Sequence, residues 1–209
     1  MRALDEIAPP ALALLEYDGV PAGVAAADRM LKRAPVSLIR AGTVQPGRFL
    51  VLLGGSVAAV EESYAERGAP LDAILLPDAH PALAPALAGE RAAAQSAAIG
   101  LLEGATSASL LAAADVVLKT TPVGIVELRL ADGLGGHAYA IFDGEQADLE
   151  VALDAGAARL GPRLTQRALL PRLDDTLRAL LAAGSRFADC ASLAPDGAEW
   201  PPATAKGQG

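Results

Sequence analysis

The twelve residues AAADRMLKRAPV at 25–36 return as AAADVVLKTTPV at 112–123, 87 positions further along a chain of 209. That spacing is too long for a solenoid repeat of about 20–50 residues and long enough for each copy to be a domain with its own core. The same offset relates Glu16 to Glu103, Asp28 to Asp115, Lys32 to Lys119 and Pro35 to Pro122. Gly55 and Gly144 are 89 apart, so the second copy carries two more residues between its middle strands.

Hydrophobic periodicity resolves each copy into the same elements. ALALLEY (11–17) has the length and apolar content of a strand and ends at a turn, Asp18-Gly19. Val20, Val24, Ala27 and Leu31 recur at helical spacing and predict a helix over 21–33 with that stripe buried, stopped at Pro35. VSLIRAG and RFLVLLGG read as strands about the Pro-Gly turn of TVQPG. Ser56 is placed to cap a second helix, with Val57, Val60 and Tyr64 inward and Gly68 at its end, and LDAILLP (71–77) is the closing strand. The second copy follows with AIGLLEG (98–104), a helix over 107–120, VGIVELRL, HAYAIFDG, a helix over 146–157 and LTQRALLP (164–171). Leu149, Leu153 and Leu160 form the stripe of that last helix.

Each unit is therefore β-α-β-β-α-β, the ferredoxin-like pattern of one sheet with helices on a face. The expected fold class is α/β, an α+β sandwich of two tandem ferredoxin-like units. The expected domains are 1–95, with an N-terminal arm and the linker DAHPALAPALAGERAAAQS, then 96–188, then a disordered tail over 189–209 rich in Pro, Gly and Ala.

Hydrophobic residues make up 52% of the chain and aromatics only 3%, so the cores are built from Ala, Leu and Val, which suit close helix-on-sheet packing. A formal charge of −8 excludes a nucleic-acid binder, whose affinity rests on Lys and Arg neutralising phosphates, and disfavours anionic membrane surfaces. The single cysteine, Cys190, excludes an internal disulfide framework and fits a reducing cytoplasm. Asp5, Glu6 and a Pro pair precede the first short apolar run, which argues against a secretory signal. No apolar run approaches the roughly 20 residues of a membrane span.

Candidates for catalysis are sparse. His80 follows a strand and reads as a surface loop residue; His137 closes the Gly-rich stretch ADGLGGHAY. No His or Cys spacing suits a metal, and Glu61-Glu62 and Asp174-Asp175 are adjacent pairs that read as solvated faces. ADGLGGHA lacks the Lys-Ser/Thr of a P-loop and lies between strands, where a dinucleotide loop would run from strand to helix. Cys190 and Trp200 lie in the tail with no pattern around them.

Two stretches resemble a known family. LLEYDGVPAGVAAADRMLKRAPVSLIRAGTVQPGRFLVLLGGSVAAVEES is similar to the bacterial microcompartment (BMC) shell domain, with a strand ending in Glu, an Ala-Ala-Asp-x-x-x-Lys helix, a strand pair around a Gly-containing loop and Gly-x-Val-x-x-Val opening the second helix. LLEGATSASLLAAADVVLKTTPVGIVELRL and FDGEQADLEVALDAG match again, so the chain resembles the tandem-domain shell proteins in their unpermuted element order.

The resemblance implies a homotrimer shaped like a hexagon, tiling into a shell with other hexameric and pentameric shell proteins, with encapsulated enzymes as candidate partners and the bacterial cytoplasm as the setting. It implies edge contacts through Lys32 and Lys119, each beside its acid, Asp28 or Asp115, and through Arg172, the basic residue after the last strand; Asp78 stands at that place in the first copy. It implies a central pore lined by Thr43, Val44, Gln45, Pro46, Gly47 and Arg48 from one copy and Ala131, Asp132, Gly133, Leu134, Gly135, Gly136 and His137 from the other. Some tandem members hold an iron–sulfur cluster through a Cys in the first loop. Gln45 stands just before Pro46-Gly47 here and cannot replace a thiolate, so no cluster, metal or other cofactor is expected. Two other readings stand beside the shell tile: a ferredoxin-like trimer binding a small or sensory ligand at its clefts, and an enzyme using His137 and Asp132.

Overall fold

The structure, a computed structural model, describes residues 10–186 and Cys190. The expected tail, apart from Cys190, and Trp200 lie outside the described residues. The first unit runs β1 (Ala11–Tyr17), α1 (Val20–Arg33), β2 (Leu38–Val44), β3 (Arg48–Gly55), α2 (Val57–Ala65) and β4 (Asp72–Leu76). A short helix, α3 (Leu83–Ala88), leads to the second: β5 (Ala98–Gly104), α4 (Ser107–Thr120), β6 (Gly124–Leu130), β7 (Ala138–Gly144), α5 (Gln146–Leu160), a 3-10 turn (Gly161–Arg163), β8 (Leu164–Leu170) and α6 (Asp175–Ala183). Each unit forms a four-stranded antiparallel sheet, in the order β2-β3-β1-β4 and β6-β7-β5-β8, which is the ferredoxin-like arrangement expected from the sequence.

Strand β1 is buried along its whole length because both faces of its sheet are covered. Ala11, Ala13 and Leu15 pack with Ala26, Ala27, Met30 and Val60 of α1 and α2. Leu12 and Leu14, on the other face, join a larger cluster with Leu83 and Leu87 of α3 and with Leu110, Leu111 and Leu118 of α4. The two units thus share a core: helix α4, which belongs to the second, packs against β1 and β4 of the first. The other face of the second sheet carries Ile99, Val126 and Ile141, which Leu181 of α6 partly covers.

Three expectations are corrected. Of the expected α1 stripe Ala27 is buried, but Val20, Val24 and Leu31 are 37%, 51% and 47% exposed, and Gly23, Ala26 and Met30 face the sheet beside Ala27. The helix lies too close for larger residues, since a Cβ on Gly23 would fall 2.4 Å from the Phe49 ring. Val57 is likewise exposed, while Val60 is buried. The linker, whose sequence predicts no element, contains α3, which tolerates Pro85 in its first turn, where no helical N–H is lost, and ends at Gly89 with φ 93°. Asp174 is not a merely solvated carboxylate, since it caps α6 by accepting from the N–H groups of Thr176 (2.9 Å) and Leu177 (3.2 Å). Smaller differences lie at element ends, where β2 runs on to Val44 and α5 to Leu160.

Helices α4 and α5 meet at Gly156, where a Cβ would sit 2.6 Å from both Leu102 Cδ1 and Val117 Cγ2. Gly156→Val should lower stability by about 1–3 kcal/mol through overpacking, read as a lower urea midpoint, whereas the same change at the unobstructed Gly42 should cost far less.

Candidate functional site

The two loops between middle strands come together at one end of the molecule. In the first unit Thr43 and Val44 belong to β2 and pair with Phe49 and Arg48, leaving Gln45-Pro46-Gly47 as the turn. The Gln45–Pro46 peptide is cis, and Gly47 (φ 102°) closes the turn by donating to the Val44 carbonyl at 3.1 Å. In the second unit Ala131–His137 forms consecutive turns, with Leu134 N–H on the Ala131 carbonyl and His137 N–H on the Leu134 carbonyl, both 3.1 Å. Ala131, Gly133, Gly135 and Gly136 all have positive φ there. The loops abut: a Cβ on Gly136 would lie 3.0 Å from Pro46 Cδ and 2.9 Å from Arg48 Nη1.

Arg48 ties them. Its Nη1 donates to Glu16 Oε1 at 2.6 Å, to the Gly136 carbonyl at 3.3 Å and to the Ala105 carbonyl at 3.4 Å. Glu16, the acid at the end of β1, is fully buried, and its Oε2 accepts from Ser107 N–H, the first residue of α4, at 2.8 Å. Burial pushes this carboxyl above the ordinary range, and the Ser107 N–H and the Arg48 guanidinium pull it back. Asp72, at the start of β4, accepts from Ser109 N–H (3.1 Å), Ser109 Oγ (2.6 Å) and the Thr106 hydroxyl. Helix α4 has no capping bond from its own N-cap residue, so two first-unit carboxylates satisfy its orphan N–H groups and complement its dipole.

By the 87-residue offset Glu103 is the second unit's Glu16, and by the 89-residue offset that holds beyond the longer loop His137 is its Arg48. They pair as well, His137 Nδ1 to Glu103 Oε1 at 2.7 Å, but both side chains are partly exposed. Asp132 engages Arg186 at 3.0 Å, and its carbonyl accepts from Arg129. The structure therefore does not join His137 and Asp132 in the way an acid–base site would require.

The Asp–Lys pairs differ between the units. Asp28–Lys32 is an exposed helix pair at 2.7 Å. Asp115 is buried: it accepts from His80 N–H at 2.8 Å and from Lys119 at 2.9 Å, while Lys119 also donates to the Asp78 carbonyl. His80 is not a free loop residue, since its Nδ1 also accepts from Ala82 N–H (3.2 Å) just before α3. Arg172 is exposed. Among the described residues no group of three or more His, Cys, Asp or Glu could hold a metal ion, and no helix is long and apolar enough to cross a membrane.

Sequence reasoning brought out the loops and the Lys pairs but assigned no role to Glu16, Asp72 or Ser109. Glu16 left a signal, as a carboxylate at the end of an otherwise apolar strand and retained in both copies. Asp72 left none, because Gln166 occupies the corresponding position opposite Glu103.

A cleft of about 350 Å³ lies beside the loops, lined by Arg40, Arg129, Asp132 and Arg186 over Leu14, Leu52 and Leu128. Removing Glu16 strands Arg48 and the α4 start, so Glu16→Ala should destabilise the chain by about 3 kcal/mol or more. Lys32→Ala, which breaks only an exposed pair, should stay within about 0.5 kcal/mol. Denaturant titration of the two variants measures the contrast.

A model of the BMC domain matches this chain twice, over residues 11–68 and 98–173. The bacterial microcompartment shell protein PduT of Citrobacter freundii is 32% identical over 175 residues, covering 80% of this chain and 95% of that one. The crystal structure of a microcompartments protein from Desulfitobacterium hafniense DCB superposes with a TM-score of 0.72 at 34% identity, covering 81% of this chain and 98% of that one.

Proposed function

Because this chain belongs to the BMC-domain family of bacterial microcompartment shell proteins, we propose that three copies close into a six-domain disc that tiles into a shell facet and admits small metabolites through its centre. The shell role is structural. The observation that carries the reading is the in-chain junction: one BMC unit already docks on the next, through Glu16, Arg48 and the α4 start, with both middle loops side by side. A ring of six such units would gather three copies of each loop about one axis.

In that ring the lining is Thr43–Arg48 and Ala131–His137, alternating. The first loop is short and held by Arg48; the second is longer and glycine-rich, and it sets the width of the opening. The perimeter contacts use Lys32, Asp28, Lys119, Asp115 and Arg172, with neighbouring hexameric and pentameric shell proteins as partners, enzymes as cargo and the bacterial cytoplasm as the setting. Lys119 is held by Asp115 and the Asp78 carbonyl, whereas among the described residues Lys32 pairs with the exposed Asp28 alone, so Lys32 is the freer of the two to reach across an edge.

Electron microscopy of the purified protein, alone or with a hexameric shell partner, should show hexagonal sheets or closed shells. Lys32→Asp should leave the trimer mass unchanged and reduce sheets severely, because one exposed contact is worth only about 0–1 kcal/mol but is repeated along every edge. Normal sheets from that variant would remove Lys32 from the edge, and a wild-type protein that forms only discrete particles would count against tiling.

A further inference from the structure

The exposed face of α1 has a buried counterpart in α4. Val20, Val24, Asp28 and Leu31 correspond by the repeat offset to Ser107, Leu111, Asp115 and Leu118. The α1 residues are exposed and the α4 residues buried: Val24 is 51% exposed and Leu111 0%. The cause lies in the neighbouring unit. Ser107 N–H is bound by Glu16 and Asp115 by His80 N–H, both first-unit groups. Positions 107, 111 and 115 lie one above another on a helix face, so Leu111 between them faces the first unit too, and it joins the core cluster that contains Leu12 and Leu14. Helix α1 carries the same face, and among the described residues nothing covers it.

The chain also carries an unfilled copy of the socket. On the first sheet, β1 and β4 receive α4. On the second, α6 covers Ile99 and Val126 through Leu181, as α3 covers part of the first sheet, and the surface beside it is left as a cavity of about 390 Å³ between Leu101, Glu103, Gln166 and Ala168 on the sheet and Leu181 and Ser185 on the α6 side. Strand β8 is exposed over its middle residues.

Building on the trimer reading, we infer that α1 of a second copy seats on this surface, with Glu103 accepting the N–H of the second copy's Val20 and His137 holding Glu103 as Arg48 holds Glu16. This makes the chain-to-chain junction chemically unlike the in-chain one, and it is where the assembly opens. In the chain, two carboxylates, Glu16 and Asp72, meet a helix start that offers the Ser107 and Ser109 N–H groups and the hydroxyls of Thr106 and Ser109. Between chains, one carboxylate and the neutral Gln166 meet Gly19-Val20-Pro21-Ala22, a start with no hydroxyl and, at Pro21, no N–H. Apolar burial of Val20, Val24 and Leu31 supplies the larger share of this contact, and Glu103 with His137 sets its orientation.

Sedimentation velocity over a concentration series tests this, with circular dichroism checking the fold. Val24→Asp should convert the wild-type assembly to monomers. Glu103→Gln should raise the dissociation constant about tenfold or more, a loss of one charge-assisted hydrogen bond. His137→Arg, which installs the first unit's residue, should keep the assembly. A wild type that stays monomeric at every concentration overturns the trimer reading and this inference together. A trimer unmoved by Val24→Asp and Glu103→Gln overturns this inference alone. Should Val24→Asp misfold, a Val24→Cys/Ala168→Cys/Cys190→Ser chain treated with a short bis-maleimide should give chain-to-chain adducts ending at three chains; only within-chain adducts would refute the docking.

Discussion

A buried carboxylate at the end of the first strand organises the molecule. Glu16 has no access to water and accepts from Arg48 on one oxygen and from the first N–H of α4 on the other. A charge in that position is tolerated only with both partners present, because desolvating an unpaired carboxylate costs several kcal/mol. The bond to α4 fixes the second unit's helix on the first unit's sheet and lines up Leu111 and Leu118 for burial beneath it. The bond to Arg48 brings the turn after β2 against the Ala131–His137 loop. Core, domain docking and loop placement thus follow from one cluster of polar contacts.

The duplication made the architecture legible. Both β-α-β-β-α-β units, their strands and the helices α1, α2, α4 and α5 are legible from periodicity and turn residues, because apolar runs such as ALALLEY and RFLVLLGG have the length and flanks of strands. What could not be read has physical reasons. Periodicity identifies an apolar helix face but not what covers it, so Val20, Val24 and Leu31 read as core residues although they are exposed among the described residues of one chain. Helix α3 was hidden by its six-residue length and internal Pro85, both of which lower local helical signal below that of a loop. Asp72 was invisible because its partners, Thr106 and Ser109, are more than thirty residues away and its repeat counterpart is Gln166.

The same comparison gives the repeat its functional meaning. A chain with two equal units would make a ring with six equal junctions. This one has instead diverged at the residues that matter for docking: Arg48 against His137, Asp72 against Gln166, Ser107 against Val20. In the proposed ring the strongly polar junction is the covalently linked one, and the more apolar one would join chain to chain. Such a tile would have a permanent contact within each pair of domains and a reversible one between pairs.

Amide hydrogen exchange, followed below and above the concentration at which chains associate, tests that division most directly. The account predicts that Ser107 N–H is protected at every concentration, while Val20 N–H and the amides of β8 slow together as the assembly forms. Exchange at Ser107 as fast as at Val20 in the dilute chain, or an α1 start unaffected by assembly, would contradict it.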